Sequence, residues 1–372
     1  MRVVVVGAGA AGLAIGWRLA QKGVRVTVID RAQPGRGATW AAAGMIAAAA
    51  ENGEAPSPET ELGREARALW PAFAQEIEEI SGMTLRYVQD AALLVATTQD
   101  QSAQFEQRAR ASNELVSLSP DEARRMEPLL GAPILAALLA TKEARVDNRA
   151  LGEALALCLR KAGGRIVPNE PVMHIETEGP RGLQVSTPFG LYEADAVVLA
   201  AGAWSGQIPR IPAHALPPVL PYKGEMISLL PPQGVLLPQR VVWGNDVYLV
   251  PRAGRLLIGA TLTQSGFDTR TTAEALDWLS ARAVALMPSL RDWRIEEHWS
   301  GLRPGSPDGL PMLGPTGVPG LYLASGQHRN GILFAPSVAE ILSRSVLERS
   351  DGPKAFDPRR FGTALAPGPG RR

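Results

Sequence analysis

The chain has 372 residues, more than one typical domain needs and enough to bury a large core. With 38 basic against 37 acidic residues and no run of like charge, nothing announces a nucleic-acid or membrane partner, so the expected ligand is small. One cysteine, Cys158, excludes an internal disulfide and a cysteine-rich metal site, and four histidines (His174, His214, His298, His328) without paired spacing point to no catalytic metal. No apolar run approaches the roughly 20 residues of a membrane span, and a strand follows Met1-Arg2 at once, with no room for a signal peptide; both point to a soluble, cytoplasmic protein.

Val3 to Val6 form a continuous apolar run suited to a parallel strand buried on both faces. Gly7-Ala8-Gly9-Ala10-Ala11-Gly12 follows, then a helical stretch to about Lys22, Gly23, and a second apolar run, Val24 to Ile29, leading into Asp30. The three glycines suit a tight turn, the approach of a pyrophosphate and close helix–strand packing, and Asp30 is placed to accept from an adenosine ribose. NAD and FAD share this fingerprint. The stretch from Gly35 to Ala50 is small, apolar and nearly uncharged, unlike a surface loop, and with Thr39 and its backbone amides it can close over a pyrophosphate and reach a flavin ring.

Residues 58 to 80 predict a helix started by Ser57 and Pro58, with Leu62, Ala66, Leu69, Phe73, Ile77 and Ile80 on one face and Pro71 kinking or dividing it. Residues 85 to 97 read as two strands. Asp147 caps a helix that runs to about Lys161, ends at Gly163-Gly164 and buries Cys158 among leucines. Short strands are expected over 165 to 187 and 194 to 200, the last leading into a turn in which the small residues Ala201, Gly202, Ala203 and Ser205 surround Trp204. Strands with short turns recur from 220 to 262. A helix is expected to start at Gly331 and carry Ile332 to Leu347; beyond Ser350 the Pro, Gly and Arg composition predicts a mobile tail.

Taken together, GAGAAG at 7 to 12, GATWAAAGM at 37 to 45, LAAGAWSG at 199 to 206, LPYKGE at 220 to 225, YLVPRAGRLLIGAT at 248 to 261, GLRPGSPDGLPMLG at 301 to 314 and RNGILFAP at 329 to 336 resemble the D-amino-acid oxidase superfamily, and within it the glycine oxidase branch. The resemblance covers nearly the whole chain. It implies an α/β fold, α+β overall: a Rossmann-like FAD domain of two-dinucleotide-binding type (1–84, 147–219 and 299–350) interrupted by a substrate domain with a mixed or antiparallel sheet (85–146 and 220–298), then the tail 351–372. It also implies one non-covalent FAD, contacted by Gly7, Gly9, Ala10, Ala11, Gly12, Asp30, Arg31, Ala38, Thr39, Ala43, Gly44, Met45, Val172, Ala201, Gly202 and Trp204, and again along Gln327, His328, Arg329, Asn330, Gly331, Ile332 and Leu333.

By the same resemblance Arg303 and Tyr248 are the catalytic pair, joined in the substrate pocket by Arg329 and Met45. A guanidinium fork matches a carboxylate in two parallel hydrogen bonds, Tyr248 lies beside the substrate, and a helix start near Gly331 stabilises negative charge on the reduced flavin. The expected reaction is oxidation of a small amino acid (glycine, sarcosine or a small D-amino acid) by hydride transfer from the neutral-amine substrate to flavin N5, with no side-chain base required. Oxygen then becomes hydrogen peroxide, and the imine gives a 2-oxo acid and ammonia or feeds thiazole formation for thiamine. Two departures bear on the substrate. The chain reads Gly326-Gln327-His328-Arg329-Asn330-Gly331 where glycine oxidases carry the histidine one position earlier, and Asn245 and Asp246 precede Tyr248 where a histidine is common, adding an acid that either repels a carboxylate or grips an amine. Other readings are a dehydrogenase serving a quinone or carrier, a flavin domain that finishes a modified tRNA base, and a non-catalytic flavin-binding protein. Relatives are often tetramers, so a homo-oligomer is expected.

Overall fold

A computed structural model of the protein describes residues 1–51, 57–131, 133–179, 182–244 and 246–362. Its first layer is a six-stranded sheet in the order Met312–Pro315, Leu321–Ser325, Ala196–Leu199, Arg2–Val6, Arg25–Ile29, Arg165–Val167, parallel except at the Met312–Pro315 edge. Alternation along the valine run explains its lack of polar residues. Val3 and Val5 pack under the helices Ala10–Gln21, Pro58–Ser81, Asn148–Lys161 and Ala335–Glu348. Val4 and Val6 face a three-stranded antiparallel sheet built from His174–Gly179, Gly182–Thr187 and Gly190–Ala194.

The second layer is a mixed eight-stranded sheet in the order Arg294–Gly305, Leu220–Leu230, Arg255–Gly259, Val247–Arg252, Val241–Gly244, Ala92–Ala96, Ala136–Ala140, Leu115–Leu118. Its period-2 pattern sorts two environments. Leu93, Val95, Ile227, Leu249 and Ile258 bury against the helix Ala273–Leu286, whereas Leu94, Met226, Val250, Leu257 and Trp299 face the alanine-rich segment at Ala41, Ala43, Ala47 and Ala50. That segment therefore lies between the two sheets.

Several sequence expectations are revised. Pro58–Ser81 is one continuous helix through Pro71, which sits on its exposed side where water can reach the backbone. Leu69 is 43% exposed, because Leu62, Ala66, Trp70, Phe73 and Ile77 hold the inward face at helical spacing. Residues 85–97 contain one strand, Ala92–Ala96, plus an isolated bridge between Val88 and Arg145. The last long helix begins at Ala335, not Gly331; residues 328–334 wind as a 3₁₀ turn and further turns. The expected boundary between 298 and 299 falls inside the strand Arg294–Gly305, which pairs along its length with Leu220–Leu230. Residues 351–362 are packed against the sheet edge: Phe356 is buried and Arg360 bonds Asp308 at 2.8 and 2.9 Å. The rest of the expected tail, 363–372, lies outside the described residues, as does Asn245.

Candidate active site

A cavity of about 1020 Å³ opens where the parallel strands end and continues between the two sheets. Crevices at the carboxyl ends of parallel strands, where strand order reverses, are where such sheets hold ligands. At this end each glycine has a separate reason. Gly7 turns at φ +109°, and a β-carbon there would overlap the Ala200 carbonyl; one on Gly12 would overlap the Gly7 carbonyl. Gly9 meets only the Thr39 hydroxyl at 3.3 Å, so its bareness serves the cavity. It caps the helix Ala10–Gln21 without a side-chain acceptor, leaving a helix start that suits an anion. Thr39 Oγ1 accepts from the Ala10 N–H at 2.8 Å. Asp30 accepts from the amides of Ala8 at 2.6 Å and Ala32 at 2.8 Å, while burial holds its carboxyl above the usual carboxylate range. Beside it Arg31 stacks on Trp204, its guanidinium carbon 3.6 Å from the ring centroid.

The alanine-rich segment forms the cavity's middle wall and is pinned from behind. The Asn148 side-chain amide donates to the carbonyls of Thr39 at 2.6 Å and Trp40 at 3.1 Å. The indole of Trp299 donates to Ala41 O at 3.0 Å, and Arg252 donates to Ala43 O at 2.5 Å and Val146 O at 3.2 Å. Gly44 turns at φ +76° against Val146. The amides of Ala48, Ala49 and Ala50 donate to the Glu143 carboxylate at 2.8, 2.6 and 3.3 Å, and Arg67 bridges Glu143 at 3.1 Å to Glu114 at 2.7 Å.

Paired strands of the eight-stranded sheet present the polar groups at the far end. Arg303, opposite Tyr222, reaches across Gly224, whose missing side chain leaves room for the guanidinium, and Arg303 Nη1 donates to Thr261 O at 3.2 Å. Tyr248 lies opposite Gly259, where a β-carbon would sit 2.6 Å from the ring and hydroxyl. Burial raises the Tyr248 hydroxyl's pKa, while the nearby Arg303 pulls it down. His328, at φ +48° and edge-on to Tyr222, is lowered to about 4 by burial and then by Arg303 and Arg329. Arg329 is 57% exposed, at 3.5 Å from Glu51.

The structure brings nearly all the expected residues to this one cavity, from Gly7 and Asp30 through Thr39, Met45, Val172 and Trp204 to Tyr248, Arg303 and the run Gln327 to Ile332. Two do not line it. Gly12 is turned into the helix–strand contact, and Leu333 points into the core with its carbonyl accepting from Trp70 Nε1 at 2.9 Å. Asn330 lines it but is tethered to Glu59 at 2.8 Å, and Asp246 lines it as an exposed residue paired with Arg282 at 3.5 Å. Sequence reading missed Glu51, Glu143, Asn148 and Arg252. Nothing local marks these four, because each acts on chain brought close only by folding.

The residues fit a dinucleotide flavin. The cradle of Gly7 and Gly9, the helix start without a side-chain cap and the buried Gln327 Nε2, which has no partner among the described residues and whose residue lines the cavity, offer groups that such a ligand uses. Fold and cavity thus define a class, the FAD-dependent oxidoreductases with a dinucleotide-binding domain and an inserted substrate sheet. Consistent with this, the family of FAD-dependent oxidoreductases designated DAO matches residues 2–345, and the chain belongs to it. Among its relatives, the glycine oxidase of Pseudomonas aeruginosa is 36% identical over 92% of this chain and 93% of its own. The bifunctional protein ThiO/ThiG of Synechocystis is 36% identical over 98% of this chain, which spans 55% of that protein. Among solved structures, glycine oxidase from Geobacillus kaustophilus superposes with a TM-score of 0.91 at 34% identity, covering 96% of this chain and 99% of that one. Iminodiacetate oxidase from Chelativorans gives 0.85 at 27%, with 96% and 99% covered. Among the described residues no helix is long and apolar enough to cross a membrane, and no cluster could hold a metal ion.

Proposed function

We infer that this chain oxidises glycine, with sarcosine and small D-amino acids as competing substrates, and uses oxygen as acceptor. FAD, when bound, supplies the flavin N5 that takes the α hydrogen as hydride and then reduces oxygen to hydrogen peroxide. The observation that carries the reading is a single cavity with a dinucleotide cradle at one end and Arg303 beside Tyr248 at the other.

In this reading Arg303 grips the substrate carboxylate, held out by its bond to Thr261 O. Tyr248, its hydroxyl protonated at neutral pH, donates to the same carboxylate or covers it. Met45 and the pinned alanine wall orient the α-carbon, and Arg329 closes the mouth. Glycine rests on the likeness to glycine oxidases. The imine then hydrolyses to a 2-oxo acid and ammonia, or is consumed in thiazole formation for thiamine. A cytoplasmic location and a homo-oligomeric, tetrameric assembly belong to the same reading.

The test is the visible spectrum of the FAD-loaded protein during anaerobic addition of glycine, sarcosine and D-alanine in turn. Bleaching by glycine, reversed by air with peroxide formed, is the expected result. Bleaching that air does not reverse points to a dehydrogenase instead, and a flavin band that none of the three bleaches overturns the amino-acid reading.

A further inference from the structure

Oxidation at the α-carbon draws on the lone pair of the amine, because those electrons make the C=N bond as the α hydrogen leaves. A free amino acid is mostly an ammonium at neutral pH, so one N–H proton has to leave, to water or to a group in the site, before the α hydrogen is transferred. The groups already assigned are poorly suited to it. Arg303 and Arg329 are cations, Tyr248 is held protonated, and the His328 imidazole, lowered to about 4, is a weak base. Asp246 also lines the cavity, but it is exposed and ion-paired with Arg282 at 3.5 Å.

Glu51 is different. Its side chain is 6% exposed and lines the cavity, and Oε2 is buried with no hydrogen-bond partner among the described residues, where Arg329 Nε is paired with it at 3.5 Å. Burial pushes its carboxyl up to about 7, with Glu143 and Glu59 acting in the same direction and Arg329 and Arg303 against it. An acid near the working pH is matched to proton exchange with an amine. Its place is set by the preceding residues, since the amides of Ala48 to Ala50 are bound by Glu143 and the carbonyls of Ala49 and Ala50 accept from Arg108 at 2.9 Å.

We propose that Glu51 recognises the substrate ammonium and accepts its proton, leaving a neutral amine whose carboxylate stays on Arg303. An N–H bond breaks, an O–H bond forms on the Glu51 carboxylate, no electrons change hands, and the proton returns to water as product leaves. Glu51 thereby selects carboxylates that carry an amine over those that do not. The proposal rests on the amino-acid reading above.

The test uses the FAD-loaded full chain as wild type, Glu51→Gln and Glu51→Asp, followed anaerobically by the flavin spectrum from about pH 5.5 to about pH 10. Glycine reports reduction. Acetate, a carboxylate without an amine, reports binding alone. The wild-type reduction rate is expected to rise along a limb near pH 7. Glu51→Gln should bind acetate within about twofold of wild type yet be reduced by glycine about 100-fold more slowly near neutral pH, recovering only as the substrate ammonium deprotonates in solution. Glu51→Asp, which keeps an acid, should keep a limb; should the Gln variant fail to hold FAD, that limb decides the matter. Unaltered reduction and limb in Glu51→Gln, loss of acetate binding along with glycine reduction, or an Asp variant without a limb each overturn the assignment. A wild type that none of the three amino acids bleaches removes the reading beneath it instead.

Discussion

Arg303 owes its position to a residue with no side chain. A β-carbon on Gly224 would overlap the guanidinium, so Gly224→Ala is expected to displace the fork and raise KM for the amino acid while FAD content stays unchanged. Arg303→Lys keeps the charge but loses the planar pair of donors, and kcat/KM should fall at least about tenfold, the cost of a charged hydrogen bond of about 1.5–3 kcal/mol. His328 makes a pH argument. Its folded pKa of about 4 lies below that of the unfolded chain, so the neutral ring is favoured in the native state and the unfolded state takes up the proton first. Its contribution is complete above about pH 6.5 and is lost as pH falls towards 4. Urea midpoints measured at neutral pH and near pH 5 should therefore converge in His328→Asn, a residue that tolerates the positive φ.

Among the elements, the first strand, turn and helix are the most sensitive unit. Gly12→Ala places a methyl on the Gly7 carbonyl, so the helix must move away from the strand end; the purified variant is expected to carry little FAD by absorbance. The alanine segment depends instead on the buried Arg67–Glu143 pair, with side chains 8% and 2% exposed. Glu143→Ala leaves three amides and part of a buried guanidinium without their acceptor, a class of change that costs about 3–5 kcal/mol. Denaturant titration measures it. A variant as stable as wild type would show that the segment is held mainly by Asn148, Trp299 and Arg252. The Gly331 region shows how element reading falls short: the apolar run from Ile332 predicts a helix starting at Gly331, but its start at Ala335 follows turn bonds such as Phe334 N to Asn330 O at 2.8 Å, which leave no mark in composition.

Across the whole molecule the cavity touches both sheets, so the cofactor stabilises both layers at once. Removing FAD should lower the melting temperature, and adding it back at about 100 times its Kd should restore about 2.7 kcal/mol; scanning calorimetry with and without FAD is the check. The sequence by itself determined the dinucleotide fold, since the valine run, spaced glycines and Asp30 state a local physics of buried strand, tight turn and open helix start that needs no distant partner. Through a resemblance spread along the chain it also pointed to Arg303 and Tyr248, which folding brings to the cavity wall. Only the tertiary structure decided what holds and completes the site. Glu143 meets residues more than 90 positions away, and Glu51 becomes a buried acid on the cavity wall only once Arg329 and Arg303 are folded against it. Burial and charge proximity are properties of the packed chain, and no local pattern encodes them.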